Sequence, residues 1–465
     1  MDEVPRVVGR CQTMCPVEEF KMREREGLLH QLELPQGKKS VGRGRGRGRG
    51  QGRGRARPRG DLTSAVKEYS RPAAGRADPD PCALRPPRIL HQTISFLFTN
   101  IISRHHTQKS GWNEVYDFVF DRLRAIRQDM VIQDIKGHDA IIILEACVSF
   151  HVYAAYRLCE HGLDTYDPVI NSQHTQECLK RLLYLYSHTD TGQMDEADTR
   201  QSSDAWRRSV RHVSDQTGGR QADCSPADNR HTNIRHTDTD NSTSGLTHLE
   251  DGLRLCSLSD TESRNRHTDT TTDNAHQRQA EFESVYLLYN LGDTDALRHF
   301  LQLPKSLRCH QLCHITYQIS ISYLLGNTLR VLRLAAQLPS MLCLCALHRH
   351  LANIQSYGLK TLCTAYSSKN CSFPVSRLIQ LLGWDTEAEA EAACREQGLT
   401  VKDGRVGFLK ANFTPVEKTR SVRWEFLESK LCCVSLPGLL RGDACQETLI
   451  LTTVTSDAPT SNSDV

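Results

Sequence analysis

Apolar residues recur at helical spacing along residues 112–135. Trp112, Val115, Val119, Leu123, Ile126 and Met130 fall on one side, and Glu114, Asp117, Asp121, Arg124 and Gln128 on the other. That period predicts an amphipathic helix. Residues 140–160 are more continuously apolar and suit a bundle interior, and residues 172–187 give a third helix. Much further along, residues 281–291 and 294–303 predict a helix pair broken at Gly292-Asp293. Antiparallel pairs of this kind, stacked in series, build an α-solenoid.

The last patterned part changes character. Residues 373–382 read as a short apolar helix with Pro374 in its first turn. Residues 386–397 read as a helix rich in Ala and Glu, ended by Gly398. Leu399-Thr400-Val401, Asp403-Gly404 and Val406-Gly407-Phe408-Leu409 then read as a tight hairpin with a glycine turn. Helix, helix, hairpin is the outline of a winged helix, and a helical stack closed by a winged helix describes a PCI-type domain. The expected fold is therefore dominated by α-helix: a helical-repeat solenoid ending in a small winged helix, with long disordered segments.

Composition divides the chain further. Residues 1–36 carry a Cys-Pro motif and a short charged helix, and residues 37–61 an Arg-Gly tract. Residues 62–187 and 281–372 are the two parts of the helical domain, residues 373–413 the winged helix and residues 414–431 a last helix. Between the two helical parts, residues 188–280 almost lack apolar side chains. There His188-Thr189-Asp190-Thr191 recurs at His236 and His267, a monotony like that of a translated simple repeat. Disorder is expected there and in the tail, 432–465. The many His and Asp of the insert have no regular spacing to hold a metal.

The 465 residues leave room for two or three domains, and a hydrophobic share of 38% places part of the chain outside any core. The 18 cysteines lie scattered through apolar stretches, and the charged start lacks the apolar core of a secretory leader. They read as reduced, buried thiols of an intracellular protein. No membrane span is expected: the nearest candidate, residues 141–158, is interrupted by Glu145 and His151.

Net charge is only +3, yet it is unevenly distributed. Arg43, Arg45, Arg47, Arg49, Arg53, Arg55, Arg57 and Arg59 alternate mostly with glycine, and no acid appears until Asp61. Such a tract attracts polyanions by counterion release and by stacking of arginine on bases, which points to RNA. Lys402, Arg405 and Lys410 flank the expected hairpin turn and are candidates for phosphate contact. The helix before them carries Glu387, Glu389, Glu391 and Glu396, so base reading by that helix is disfavoured and a protein contact suits it better. Arg122, Arg124 and Arg127 are read as a structural ion-pair network with Asp121 and Asp129 rather than a basic stripe.

Cys11 and Cys15 resemble half a zinc site, but structural zinc needs four ligands and no second pair follows, so a packed Cys-Pro turn is expected. Cys309, Cys313 and His314 are read as core groups on one helix face rather than ligands. Trp424, Leu427 and Leu431 share a face of the last predicted helix, as in helix-in-groove targets. Their spacing resembles that of centrin-binding peptides; docking onto the chain's own body is the plainer alternative. No Gly-rich phosphate loop, nucleophile elbow or two-His metal helix is present, so neither catalysis nor a cofactor is expected.

Several segments together resemble one family. Gly9-Arg10-Cys11-Gln12-Thr13-Met14-Cys15-Pro16, with Glu18 and Arg23-Glu24, is similar to the opening signature of the SAC3/GANP family. Tyr69-Ser70-Arg71-Pro72-Ala73-Ala74 and Leu84-Arg85-Pro86-Pro87 resemble its next block, and Tyr116-Asp117-Phe118, Asp121-Arg122, Arg124, Ile126-Arg127 and Asp129 its central motif. Glu281-Phe282, Tyr286-Leu287-Leu288, Leu347-His348-Arg349 and Ala365-Tyr366-Ser367 continue in the same order. The resemblance implies a non-enzymatic scaffold in messenger-RNA export, in nucleus and cytoplasm. It implies pairing with a second PCI-domain protein and a small acidic subunit. An alternative it carries is a centrosome and spindle-pole factor in mitosis. The Phe-Gly repeats, primase-like region and acetyltransferase region of GANP are absent from this sequence, so those activities do not transfer.

Overall fold

The computed structural model describes residues 7–34, 60–71, 80–103, 111–189, 270–416 and 421–442. The Arg-Gly arginines from Arg43 to Arg59, most of the low-complexity insert and the tail from residue 443 lie outside these described residues.

The described part is helix-dominated. α1 (Val17–Glu26) is followed by α2 (Pro87–Phe96), which runs into a wider helical turn over Leu97–Ile102. Next come α3 (Trp112–Ile132), α4 (Gly137–Arg157) and α5 (Pro168–Thr189). The chain resumes with α6 (Thr270–Tyr289), α7 (Thr294–Gln302), a single turn Lys305–Arg308, α8 (Gln311–Leu324), α9 (Thr328–Ala335), α10 (Met341–His348) and α11 (Leu351–Ala365). The predicted break at Gly292-Asp293 is present: Asp293 caps α7 by accepting from the Asp295 amide at 2.8 Å.

One core joins the segments on either side of the insert. Val119, Leu123, Phe150 and Leu179 pack in the same cluster as Phe282, Leu288, Leu344 and Leu347. Its centre is α4, which lies against α5, α10 and α2. α4 is long and apolar enough to cross a membrane by length and composition alone, and 78% of its most apolar window is buried inside the protein. Each large side chain withdrawn from water here contributes roughly 1.5–3 kcal/mol, which accounts for its continuous apolar pattern.

α5 and α6 form an antiparallel hairpin. Tyr289 Oη donates to Ser172 Oγ at 3.0 Å at one end. At the other, Glu145 of α4 receives Tyr186 Oη at 2.7 Å and Arg278 Nε at 3.1 Å. Residues 270–280, expected to be disordered, are thus helical. Their polar sequence hid a face held by Arg278, which pairs with Glu145 and Glu281 and lies over the Phe282 ring.

The C-terminal part holds a second core and the sheet. β1 (Ser372–Pro374), α12 (Val375–Leu382), α13 (Glu387–Glu396), β2 (Thr400–Lys402) and β3 (Arg405–Gly407) follow in order. The sheet is antiparallel with order β1-β3-β2, pairing Phe373 with Val406 and Val401 with Val406. Leu359, Val375, Leu378, Leu382, Ala390, Cys394, Val406 and Phe408 fill the space beneath it. Asp403 (φ 48°) and Gly404 (φ 64°) both adopt left-handed backbone at the hairpin turn, where glycine at the second position avoids a steric cost. The predicted helix over 373–382 is a correction: Ser372–Pro374 pair with β3 and the helix starts at Val375. Pro374 sits extended on this edge strand, where its missing N–H costs no ladder bond. α14 (Glu425–Leu431) and α15 (Leu436–Arg441) close the described chain, α15 packing on α4.

Candidate nucleic-acid interface and partner surfaces

The opening motif is a strap over the start of the helical body. The Cys11 amide donates to Leu84 O at 2.9 Å, the Arg10 amide to Pro81 O at 2.7 Å and the Lys67 amide to Met14 O at 3.0 Å. Gly9 lies so close to Leu84 that an added Cβ would stand 2.6 Å from its carbonyl oxygen. Cys15 is fully buried beside Arg23, and burial, with Glu19 nearby, pushes its thiol up to about 12. It is held as a thiol, in keeping with the expected packed turn. Both ends of the 35–59 segment return to this strap. The Gly60 amide donates to Glu24 Oε1 at 2.9 Å, Ser64 Oγ to Glu33 O at 2.6 Å and the Val66 amide to Glu33 Oε1 at 2.9 Å.

Beneath the strap the central-motif charges interlock. Arg23 pairs with Glu33 and with Glu68 at 2.9 Å. Arg122, 4% exposed, reaches Glu68 at 3.0 Å and Asp121. Asp129 is fully buried between Lys67 (2.6 Å) and Arg85 (2.7 Å). Arg124 lies 4.0 Å over the Tyr69 ring, and Arg127 bonds Glu177 at 3.2 Å and Cys178 Sγ at 3.3 Å. These side chains knit segments together: Asp121 meets Arg122 as expected, whereas Asp129 meets Lys67 and Arg85 instead of Arg122, Arg124 or Arg127. Sequence missed the main partners, Glu33 and Glu68 for Arg23 and Arg122 and Lys67 and Arg85 for Asp129, because they come from distant parts of the chain.

The hairpin cations are presented differently. Lys402, Arg405 and Lys410 are all exposed. Lys402 and Arg405 are cross-strand neighbours, so their side chains leave the same face of the sheet. Arg405 is steadied by Ser372, donating to its Oγ at 2.6 Å and its carbonyl at 2.7 Å. The Lys410 amide donates to Ser367 Oγ at 3.1 Å, tying the loop after α11 to the end of the sheet. That loop adds Tyr366 and Lys369, exposed residues that the sequence analysis did not mark as contacts. On α13, Glu391 pairs with Arg395 at 2.8 Å, and Glu389 accepts from the Asp385 amide at 3.3 Å.

Trp424, Leu427 and Leu431 face inward. Trp424 is the extended residue before α14 rather than its first helical residue. Trp424 and Leu427 are buried in the main core and Leu431 packs against it. Tyr156 Oη donates to Glu428 Oε1 at 2.7 Å, and Arg423 pairs with Glu160 at 3.1 Å, fastening this segment to α4 and the turn after it. The face suited to a centrin-type groove is covered by the chain's own body. Cys309 is exposed at the end of its helical turn while Cys313 is buried in α8. Among the described residues no group of three or more His, Cys, Asp or Glu could hold a metal ion.

A helical body with a small antiparallel sheet bearing exposed cations defines a helix-dominated protein whose distinctive chemistry lies on its surface. The chain belongs to the SAC3/GANP family: the family's sequence profile matches residues 14–204 and 252–403. The gap between the matches falls within the low-complexity insert. Protein xmas of Drosophila melanogaster is 24% identical over 430 residues, or 91% of this chain. SAC3 family protein 1 of Schizosaccharomyces pombe and SAC3 family protein B of Arabidopsis thaliana are each 30% identical, over 34% and 33% of this chain. The matched regions span 16%, 13% and 8% of these three relatives' own lengths.

Proposed function

We propose that this chain is a non-enzymatic scaffold of messenger-RNA export. Its helical body, a PCI-like solenoid, grips protein partners, and the element set β1-α12-α13-β2-β3 acts as a winged helix. The observation that carries this reading is the family match over most of the chain. The second PCI-domain protein and the small acidic subunit are the partners the family implies. A cleft of about 400 Å³ between α11, α13 and residues 421–424, bordered by Trp384, Asp385, Glu389 and Glu396, offers an acidic docking surface. Phosphate repulsion makes it a poor nucleic-acid groove and a good protein one. RNA is held instead by the Arg-Gly tract and by Lys402, Arg405 and Lys410, each a phosphate contact.

Affinity purification of the intact chain with mass spectrometry tests the scaffold. Recovery of a PCI-domain protein with a small acidic subunit is expected, and a preparation containing neither would sink the reading. RNA crosslinking of a chain lacking residues 42–60 should fall several-fold; unchanged crosslinking would remove the tract from the RNA surface.

A further inference from the structure

Tyr366 stands at the edge of the hairpin surface with 53% of its area in solvent. It caps the C-terminus of α11, and its ring centroid lies 5.5 Å from that of Phe373 at an interplanar angle of 45°. Phe373 in turn contacts Phe408 at 5.7 Å, and Phe408 is buried in the second core. The tyrosine is thus propped from below by aromatic side chains while more than half of it remains open. The loop that follows is stitched to β3 and its exit: the Ser368 amide donates to Phe408 O at 3.0 Å and the Lys410 amide to Ser367 Oγ at 3.1 Å. Residues 366–374 and 400–412 carry four cations, Lys369, Lys402, Arg405 and Lys410, against one carboxylate, Asp403. All four cations are exposed.

Lys369 lies three residues beyond the ring and Lys410 is tied to the adjoining Ser367, whereas Lys402 and Arg405 leave the face of the sheet opposite Phe373. An open, rigidly backed aromatic ring with cations close by is the combination that holds an unpaired base on its face and the adjoining phosphates beside it. A base inside a duplex is already stacked on both faces and cannot use such a ring. We propose that Tyr366 is a stacking platform and Lys369 a further phosphate contact, which together make this surface select single-stranded over duplex RNA. The inference rests on the nucleic-acid reading of Lys402, Arg405 and Lys410.

The test uses the full chain with serine at the eight tract arginines, so that the tract does not mask the surface. The probes are a fluorescein-labelled 12-nucleotide single-stranded RNA and the same strand annealed to its complement, followed by anisotropy. Tyr366→Ala is expected to weaken single-strand binding about tenfold and to leave duplex binding unchanged, while Tyr366→Phe keeps both. Lys369→Glu should weaken single-strand binding several-fold. Reversing Lys402, Arg405 and Lys410 together should weaken both ligands. If that triple reversal changes neither, the nucleic-acid reading of the hairpin fails, and this inference with it. If the triple reversal acts but Tyr366→Ala does not, or weakens both ligands equally, the stacking inference alone is overturned. Loss of a co-purifying protein on Tyr366→Ala, with RNA binding intact, would also overturn it by assigning the ring to a protein contact.

Discussion

Asp129 shows how one buried carboxylate can join three remote segments. Its two oxygens take Lys67 and Arg85, and the Arg85 amide adds a third bond at 3.3 Å. Removing the carboxylate strands a fully buried guanidinium and a nearly buried ammonium, a situation that costs about 3–5 kcal/mol. Asp121 pairs with Arg122 from a side chain that is 34% exposed, where such pairs contribute about 1 kcal/mol or less. Urea unfolding of the full chain should therefore show Asp129→Ala destabilised by several times as much as Asp121→Ala. Equal effects would mean that burial does not separate the two sites. In the sequence both acids look alike, eight residues apart on one helix beside the same arginines. Only the third dimension distinguishes them, because their partners arrive from segments whose placement no local period reports.

At the scale of elements, long periodic stretches were the legible ones. α3, α4, α5 and the α6–α7 break follow from apolar spacing because each helix presents a full face to the core. The β2–β3 hairpin followed from its Asp403-Gly404 turn, but β1 did not. β1 is too short for an alternating pattern, and its pairing depends on β3, some thirty residues later. The first turns of α6 were hidden for the opposite reason: their contacts are charged, through Arg278, not apolar. The α5–α6 hairpin carries its own prediction. Tyr186 and Arg278 meet on Glu145, so the chain leaves α5 and enters α6 at the same end of the pair. Replacing residues 190–269 with about six Gly and Ser residues spans the short connection such hairpins use. The thermal midpoint should stay within about 3 °C of the intact chain, since loop length costs little. A chain that no longer folds would show that the insert is part of the core.

For the molecule as a whole, the helical body buries several histidines in neutral form. Burial chiefly holds His151 down to about 3 and His350 to about 4, and it also lowers His91, His138 and His348. His151 Nδ1 donates to Asn171 Oδ1 at 2.9 Å, a bond that favours the charged ring but is outweighed by burial against Phe120 and Phe150 and by the nearby Arg127 charge. The unfolded chain protonates near the ordinary histidine value of about 6.5, above the folded values, so it binds more protons as the solution is acidified. The stabilisation is complete above that value and declines as pH falls toward the folded ones. At pH 5 a single such histidine forfeits roughly 2 kcal/mol. Urea midpoints at pH 7.5 and 5.0 should differ clearly, and His151→Asn should shrink the difference; a flat profile would refute the account. The sequence announces twenty histidines but not which are buried.

The strap has one more consequence. Glu33 and Glu24 hold the chain just before and just after the Arg-Gly tract, so residues 35–59 depart from and come back to one small area beside α1. Chain connectivity alone then keeps every residue between these two anchors within about 45 Å of them, half the extended contour.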